Sequence, residues 1–398
     1  MFEKIIGYTL YKGMLLVERH YTKGTPELVR LCTVSRELYN RCNYLMRQAW
    51  FTKQRLPDIT ILANEAKDLD CFKQLHNTKT AKQTIRKCLT DWSNYRKALF
   101  AYSKDRSKFV SCPKAPNYKE KLAQVIFYNE TIKGGQLHEI LPDLTATNNC
   151  FSVRFKAGYK QVVITPKTFG FVIEVQYEKK ETKKKVKFDK DKVCTIDIGL
   201  NTLAAITYDQ NRPILVNGRI LKSINQWYNK CPCKSRLRKR YWRIENYFHH
   251  TSKLIIDLCL KNNIGKIIIG KNDGWKQNIN LGKKTNQAFC SIPTYLLLEK
   301  IKYKATEEGI DVTFTEESYT SKSSFYDRDP LPVYGDAEPE FSGKRKYRGL
   351  YVSNGFAVNA DVNGSLNIGR KVIPEFAGIG DRSLAARPVV INPLKVQR

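Results

Sequence analysis

The sequence has no long apolar run. Its densest stretches, such as Lys266-Ile267-Ile268-Ile269, are strand length and fall far short of the ~20 residues a membrane helix needs. The opening Met1-Phe2-Glu3-Lys4-Ile5-Ile6 lacks the apolar segment of a signal peptide. Cysteines number 11, an odd count scattered along the chain, which argues against a disulfide framework and for a reducing compartment. Acids are scarce: 38 Asp and Glu face 69 Lys and Arg, a formal net charge of +31. With 42% hydrophobic and 27% charged residues the composition is globular rather than disordered. A compact fold carrying that charge repels itself unless a polyanion neutralises it. The expected partner is therefore nucleic acid, bound less tightly as salt rises, with no membrane and no small-molecule substrate.

A length of 398 residues predicts two or three domains. Residues 1–22 read as one or two strands, with β-formers at Ile5 to Leu10 and Leu15 to Val17. Thr25-Pro26-Glu27 supplies an N-cap, a first-position Pro and a first-turn acid. The helix that follows puts Leu28, Leu31, Leu38, Cys42 and Leu45 on one face, leaving Arg30, Arg36, Arg41 and Arg47 largely for others. One shorter helix is expected in 52–75 and a long one from Thr78 to Phe100. Basic and aromatic residues interleave over 102–109, then Pro113 and Pro116 break the chain near Tyr118-Lys119. Short strands are expected at 125–128, 151–155, 162–164 and 171–177, and a Lys-rich linker over 178–192. Beyond it, strands at 193–197 and 203–208, helix over 221–262, a strand at 266–269, a helix at 293–308, a strand at 312–317 and a helix from Asp361 give an α/β order with a mixed sheet. Residues 327–349 read as loop, and the tail from 371 is expected to lack order without partners.

In so basic a chain, an acid within an apolar strand is costly unless something pairs with it. Asp197 stands in Cys194-Thr195-Ile196-Asp197-Ile198-Gly199, Asp361 where a helix starts, and Glu316 and Glu317 at the end of a strand pattern. Carboxylates converging from strand ends and a helix start are what hard divalent cations need. Two such ions activate a water and stabilise the leaving oxygen of a phosphodiester. The bland alternatives are a turn former at Asp197 and an N-cap at Asp361. Adjacent His249 and His250 face different directions on a helix and read as packing and surface.

At these residues the sequence resembles a known family. Asp197-Ile198-Gly199-Leu200-Asn201-Thr202-Leu203-Ala204 looks like the first motif of a RuvC-type, RNase H-like nuclease domain, and Ala360-Asp361-Val362-Asn363-Gly364-Ser365-Leu366-Asn367-Ile368 looks like its third. Gly270 to Gln277 and Glu317 to Lys322 resemble a subgroup of TnpB, the transposon-encoded RNA-guided DNA nucleases. Gly270 stands where the second RuvC acid is usual; the resemblance to Fanzor proteins implies a relocated glutamate, Glu317, with Glu316 as the fallback. Successive strand side chains alternate faces, so both cannot serve one site from a regular strand. Zinc is not expected: Cys231-Pro232-Cys233 has the wrong spacing and Cys290 stands alone between the second and third motifs.

The resemblance implies an α+β multidomain fold. A wedge, oligonucleotide-binding-like β-barrel would use 1–22 and 105–190, with a helical recognition insertion at 23–104. A RuvC-like nuclease domain would span 191–370, with a C-terminal tail at 371–398. It further implies Mg²⁺, or Mn²⁺, held by Asp197, Glu317 and Asp361, a guide RNA, a double-stranded DNA target beside a short motif, and a cytoplasmic or nucleoid-associated place in a bacterium or archaeon. Candidate nucleic-acid contacts are Arg30, Arg41, Arg47, Tyr118, Lys119, Trp275, Lys276 and Gln277. The alternatives are a compact type V CRISPR effector, which shares the nuclease domain, and a guided DNA-binding repressor without nuclease activity.

Overall fold

Thr25 opens the first helix as its residue type dictates: its hydroxyl accepts from the Leu28 N–H at 3.3 Å, and Pro26 takes the first helical position. The computed structural model describes residues 15–75, 77–128, 159–178, 188–271, 292–333, 335, 339–347 and 349–395. The chain divides into two compact units, Met1–Thr182 and Lys183–Arg398. Several sheets and helices in both make it an α+β protein.

In the first unit, β1 (Leu15–Thr22) precedes four helices: α1 (Pro26–Phe51), α2 (Ile59–Ala66), α3 (Asp70–Lys73) and α4 (Thr78–Lys104). The stretch 52–75 thus holds two helices where one was expected; Asp58 caps the first of them by accepting from the Thr60 and Ile61 N–H groups. β2 (Val125–Tyr128), β3 (Tyr159–Lys167) and β4 (Gly170–Glu178) join β1 in an antiparallel sheet of order β1-β4-β3-β2. Leu28, Leu31, Leu38, Ile85 and Trp92 pack with Val125, Phe127, Val162 and Ile173 in one core. The expected strands at 5–10 and 151–155 lie outside the described residues.

The second unit is built on a mixed six-stranded sheet, order β13-β7-β6-β5-β8-β9. Its strands are β5 (Asp189–Ile198), β6 (Thr202–Tyr208), β7 (Ile214–Asn217), β8 (Ile264–Gly270), β9 (Asp311–Thr315) and β13 (Val389–Ile391). β5 runs antiparallel to β6 and parallel to β8, and β8 is parallel to β9. Cys194, Ile196 and Ile198 of β5 pack into a core with α5 (Arg219–Lys230), α6 (Lys234–Lys261) and α7 (Thr294–Glu308). Val193 packs instead with Ile368 on α8 (Ala360–Val372), and the Thr195 hydroxyl bonds Ser365 of α8 at 3.0 Å. Side chains alternate along a strand, so Asp197 belongs with Val193 and Thr195 on the α8 side.

Four sequence expectations change here. The helix over 221–262 is two, broken at Cys231-Pro232-Cys233, where Pro232 lacks the N–H that a helix interior needs. The loop expected over 327–349 ends in β10 (Gly343–Tyr347), which pairs with β11 (Leu350–Ser353) and through it with β12 (Phe356–Asn359). β10 is a polar strand with exposed Lys344, Arg345 and Lys346, so no apolar alternation announced it. The strand expected to reach Glu317 stops at Thr315. The tail is ordered through Lys395: α9 (Arg382–Ala386) follows α8, and β13 pairs parallel with β7.

Candidate active site

Asp197 projects from β5, between its pairings with Ala205 on β6 and the neighbouring parallel strand β8. Gly364, one turn into α8, lets that helix approach: a Cβ there would lie 2.8 Å from Asp197 Oδ2. Asp361 is in the first turn of α8, and Asn359, not Asp361, is the cap, accepting from the Asp361 and Val362 N–H groups at 3.0 and 3.2 Å. That leaves the Asp361 carboxylate for other partners. Thr202 Oγ1 donates to its Oδ2 at 2.7 Å, and Arg345 Nη2 donates to its Oδ1 at 2.8 Å.

Glu317 arrives from the turn after β9. Ser318 N–H donates to Glu316 Oε2 at 3.0 Å, and the Lys371 ammonium of α8 bonds Glu316 Oε1. Glu316 is thereby turned away, and its neighbour faces β8: a Cβ on Gly270 would lie 2.6 Å from Glu317 Oε1 and 2.7 Å from its Cγ. The glutamate side chain thus covers the position where a residue at 270 would begin its own. Below this turn, Asn363 Nδ2 donates to Ser323 O at 2.8 Å and Asn367 Nδ2 to Thr320 O at 3.0 Å, tying residues 318–325 to α8.

The three acids influence one another. Burial, then the negative charge of Asp361, pushes the Asp197 carboxyl up to about 7, with Arg345 opposing. Burial and the charge of Asp197 push Glu317 up to about 8. Burial disfavours the charged form, and like charges a few ångströms apart disfavour it further. The donor set is hard oxygen, which fits a divalent cation such as Mg²⁺ better than a soft metal. Among the described residues no three His, Cys, Asp or Glu side chains already form a metal-holding group; both oxygens of Asp361 are engaged by Arg345 and Thr202. Arg345 brings a cation to the cluster through Asp361, and sequence reasoning missed it because it lies on the unannounced strand β10. Thr202 stands within the first motif, but only its contact with Asp361 shows a role.

The candidate nucleic-acid contacts in the first unit take different positions. Arg30 bonds Glu27 through two nitrogens, at 3.0 and 2.6 Å. Arg41 lies over the Tyr44 ring, and Arg47 between the Phe51 and Tyr118 rings while donating to Pro116 O at 2.9 Å. Tyr118 is half-exposed. Lys119 sits 3.6 Å from the Tyr39 ring centre, where burial lowers its ammonium pKa. Trp275, Lys276 and Gln277 lie outside the described residues. His249 is partly exposed, with its ring nitrogen 3.0 Å from the buried Lys300 ammonium that pairs with Glu245.

Residues 295–368 match the family model Cas12f1-like, TNB domain. That segment runs from α7 through Glu317 and β10–β12 into α8, and includes Arg345 and Asp361. No curated protein matches the chain. Among solved structures it is similar to the cryo-EM structure of the Cas12f1-sgRNA-target DNA complex, with 12% identity, covering 90% of this chain and 100% of that one, at a TM-score of 0.34. It is also similar to the cryo-EM structure of a CRISPR-Cas12f ternary complex, with 13% identity, covering 86% of this chain and 80% of that one, at a TM-score of 0.35. No helix among the described residues is long and apolar enough to cross a membrane.

Proposed function

We propose that this protein is an RNA-guided DNA endonuclease that hydrolyses phosphodiester bonds at Asp197, Glu317 and Asp361. The observation that carries the proposal is the Glu317 side chain lying over Gly270, beside a β5 aspartate and a helix whose first turn carries Asp361. The match of 295–368 to a Cas12f1-like model supports a compact type V effector. The transposon-encoded TnpB alternative, with the relocated glutamate of Fanzor proteins, uses the same site and differs in where the guide arises.

Asp197, Glu317 and Asp361 would hold Mg²⁺, or Mn²⁺ in its place. Two such ions would supply Lewis-acid stabilisation of the leaving oxygen and an activated water. The protein's part is to hold three acids together against their repulsion. β5 fixes Asp197, the Glu316–Lys371 pair turns Glu317 inward, and the Asn359 cap leaves the Asp361 carboxylate unoccupied by its own helix. Arg345 offsets part of the cluster's negative charge, and its bond to Asp361 would have to give way for that carboxylate to hold a metal.

The partners are a guide RNA and a double-stranded DNA target, read by base pairing once a short adjacent motif has been recognised. The helices inserted between β1 and β2 support the wedge-and-recognition organisation, 1–22 with 105–190 around 23–104, ahead of a nuclease domain at 191–370. The deciding experiment is to express the gene with its flanking DNA, sequence the co-purifying RNA and assay cleavage of a matching plasmid. One dominant species with a constant part and a variable segment, and metal-dependent cutting, support the proposal. A heterogeneous RNA mixture lost at moderate salt, with no cutting, overturns it.

A further inference from the structure

Arg345 reaches Asp361 from outside the sheet that carries Asp197. β10 is the edge of a separate three-stranded sheet and pairs with β11 alone. Its register slips between Arg345 and Tyr347, an irregularity of the kind that re-aims a side chain. The turn into β11 is fastened to the start of α8, where the Ala360 N–H donates to Gly349 O at 3.1 Å. The guanidinium is thereby delivered to Asp361 Oδ1 at 2.8 Å, while Thr202 holds Oδ2 at 2.7 Å. Lys344 and Lys346 on either side of Arg345 are exposed, so the middle one of three successive cations is the one spent on an acid.

As a strut this contact is weak. The Arg345 side chain is 42% exposed, and a pair so open to water adds little to stability. As a counter-charge it reaches further: against burial and the charge of Asp361, which raise the Asp197 carboxyl, Arg345 acts to lower it. A guanidinium and a divalent cation carry charge of the same sign and compete for the same carboxylate, so each disfavours the other. Arg345 therefore stabilises the acids while opposing the cation they would hold. It makes one bond to Asp361 and has donors to spare, and its planar fork matches a phosphate bidentately. A phosphodiester brought to the acids gives Arg345 another partner and leaves Asp361 Oδ1 bare.

We infer that the Arg345–Asp361 pair is a lock on the acid site, keeping its affinity for divalent cations low until a phosphodiester draws Arg345 away. Cation and substrate each take one half of the pair, so each tightens the binding of the other by the same factor. The inference rests on the acid site proposed above and adds its regulation.

The test uses the full chain at about pH 8.5, where protons compete little for the carboxylates, and reads Mn²⁺ affinity by electron paramagnetic resonance. Without nucleic acid, Arg345→Gln is expected to bind Mn²⁺ about tenfold tighter than wild type, and Arg345→Lys, which keeps the charge, to stay near wild type. A short single-stranded DNA with phosphorothioate linkages, corrected for its own Mn²⁺ uptake, is expected to tighten Mn²⁺ binding more in wild type than in Arg345→Gln. Unchanged or weaker Mn²⁺ binding in Arg345→Gln overturns the lock, and an equal effect of the DNA on both proteins overturns the coupling. Asp361→Asn separates this inference from the reading beneath it. If Asp361→Asn binds Mn²⁺ like wild type, the acids do not hold the cation and both fall. If it loses Mn²⁺ while Arg345→Gln leaves the affinity unchanged, the lock alone fails.

Discussion

Gly270 and Glu317 share one space. A Cβ on Gly270 would lie 2.6 Å from Glu317 Oε1, so a side chain at 270 and the glutamate in its present position exclude each other. Only a residue without a Cβ at the end of β8 lets the acid from the turn after β9 lie across it. The same logic holds at Gly364, whose absent Cβ makes room for Asp197 Oδ2 at 2.8 Å.

The two glycines give the first prediction. Gly→Ala in a helix interior ordinarily stabilises by up to about 1 kcal/mol. Gly364→Ala is expected to do the opposite, losing about 1–3 kcal/mol to overpacking and most cleavage with it. Gly270→Ala displaces Glu317 and is expected to be inactive while keeping nucleic-acid affinity. Urea denaturation and plasmid cleavage check both; full activity in Gly270→Ala would remove Glu317 from the site.

Glu316 and Glu317 are separated by their partners. Glu317→Gln is expected to abolish cleavage. Glu316→Gln, which weakens the bond to Lys371 without removing an acid from the cluster, is expected to retain it. The reverse pattern in a cleavage assay would exchange their roles.

Asp197→Ala and Asp361→Ala each remove a carboxylate that the proposed reaction uses. Both are expected to lower cleavage more than about a hundredfold, about 3 kcal/mol or more of transition-state stabilisation, with RNA and DNA binding intact. Gel-shift and single-turnover cleavage on one preparation test this directly.

Asp197 and Glu317 also predict a pH dependence. Their ordinary values are 3.8 and 4.5, and the fold raises them to about 7 and about 8. Between those limits the folded protein binds more protons than the unfolded one, so this contribution to stability is complete below about pH 4 and is lost as pH rises through 7 to 8. In metal-free buffer the urea midpoint of wild type, relative to Asp197→Asn, is expected to fall over that window. Mn²⁺ competes with those protons, so its affinity is expected to rise with pH over the same range. A midpoint difference flat in pH would show that the two acids do not hold protons in the fold.

Much of this was legible in the residues because it is local. Thr25-Pro26-Glu27 starts α1, the apolar spacing of Leu28, Leu31 and Leu38 sets its buried face, and an acid in the apolar strand around Asp197 marks a costly placement. Other elements form only by long-range pairing. β10 has no apolar alternation and exists by pairing with β11; β13 is three residues from the far end of the chain that find β7.

The sequence by itself determined the charge, the strand and helix periods and the identity of three acids within apolar or helix-starting contexts. Those depend on spacing along the chain. Between the two adjacent glutamates the resemblance favoured Glu317, and only the tertiary structure shows what holds Glu316, namely Lys371, 55 residues on. The tertiary structure also placed Arg345 on Asp361, since antiparallel pairing of β10 with β11 brings that polar strand to the start of α8. Which side chains meet is set by sheet order and helix approach, and neither is written in local period.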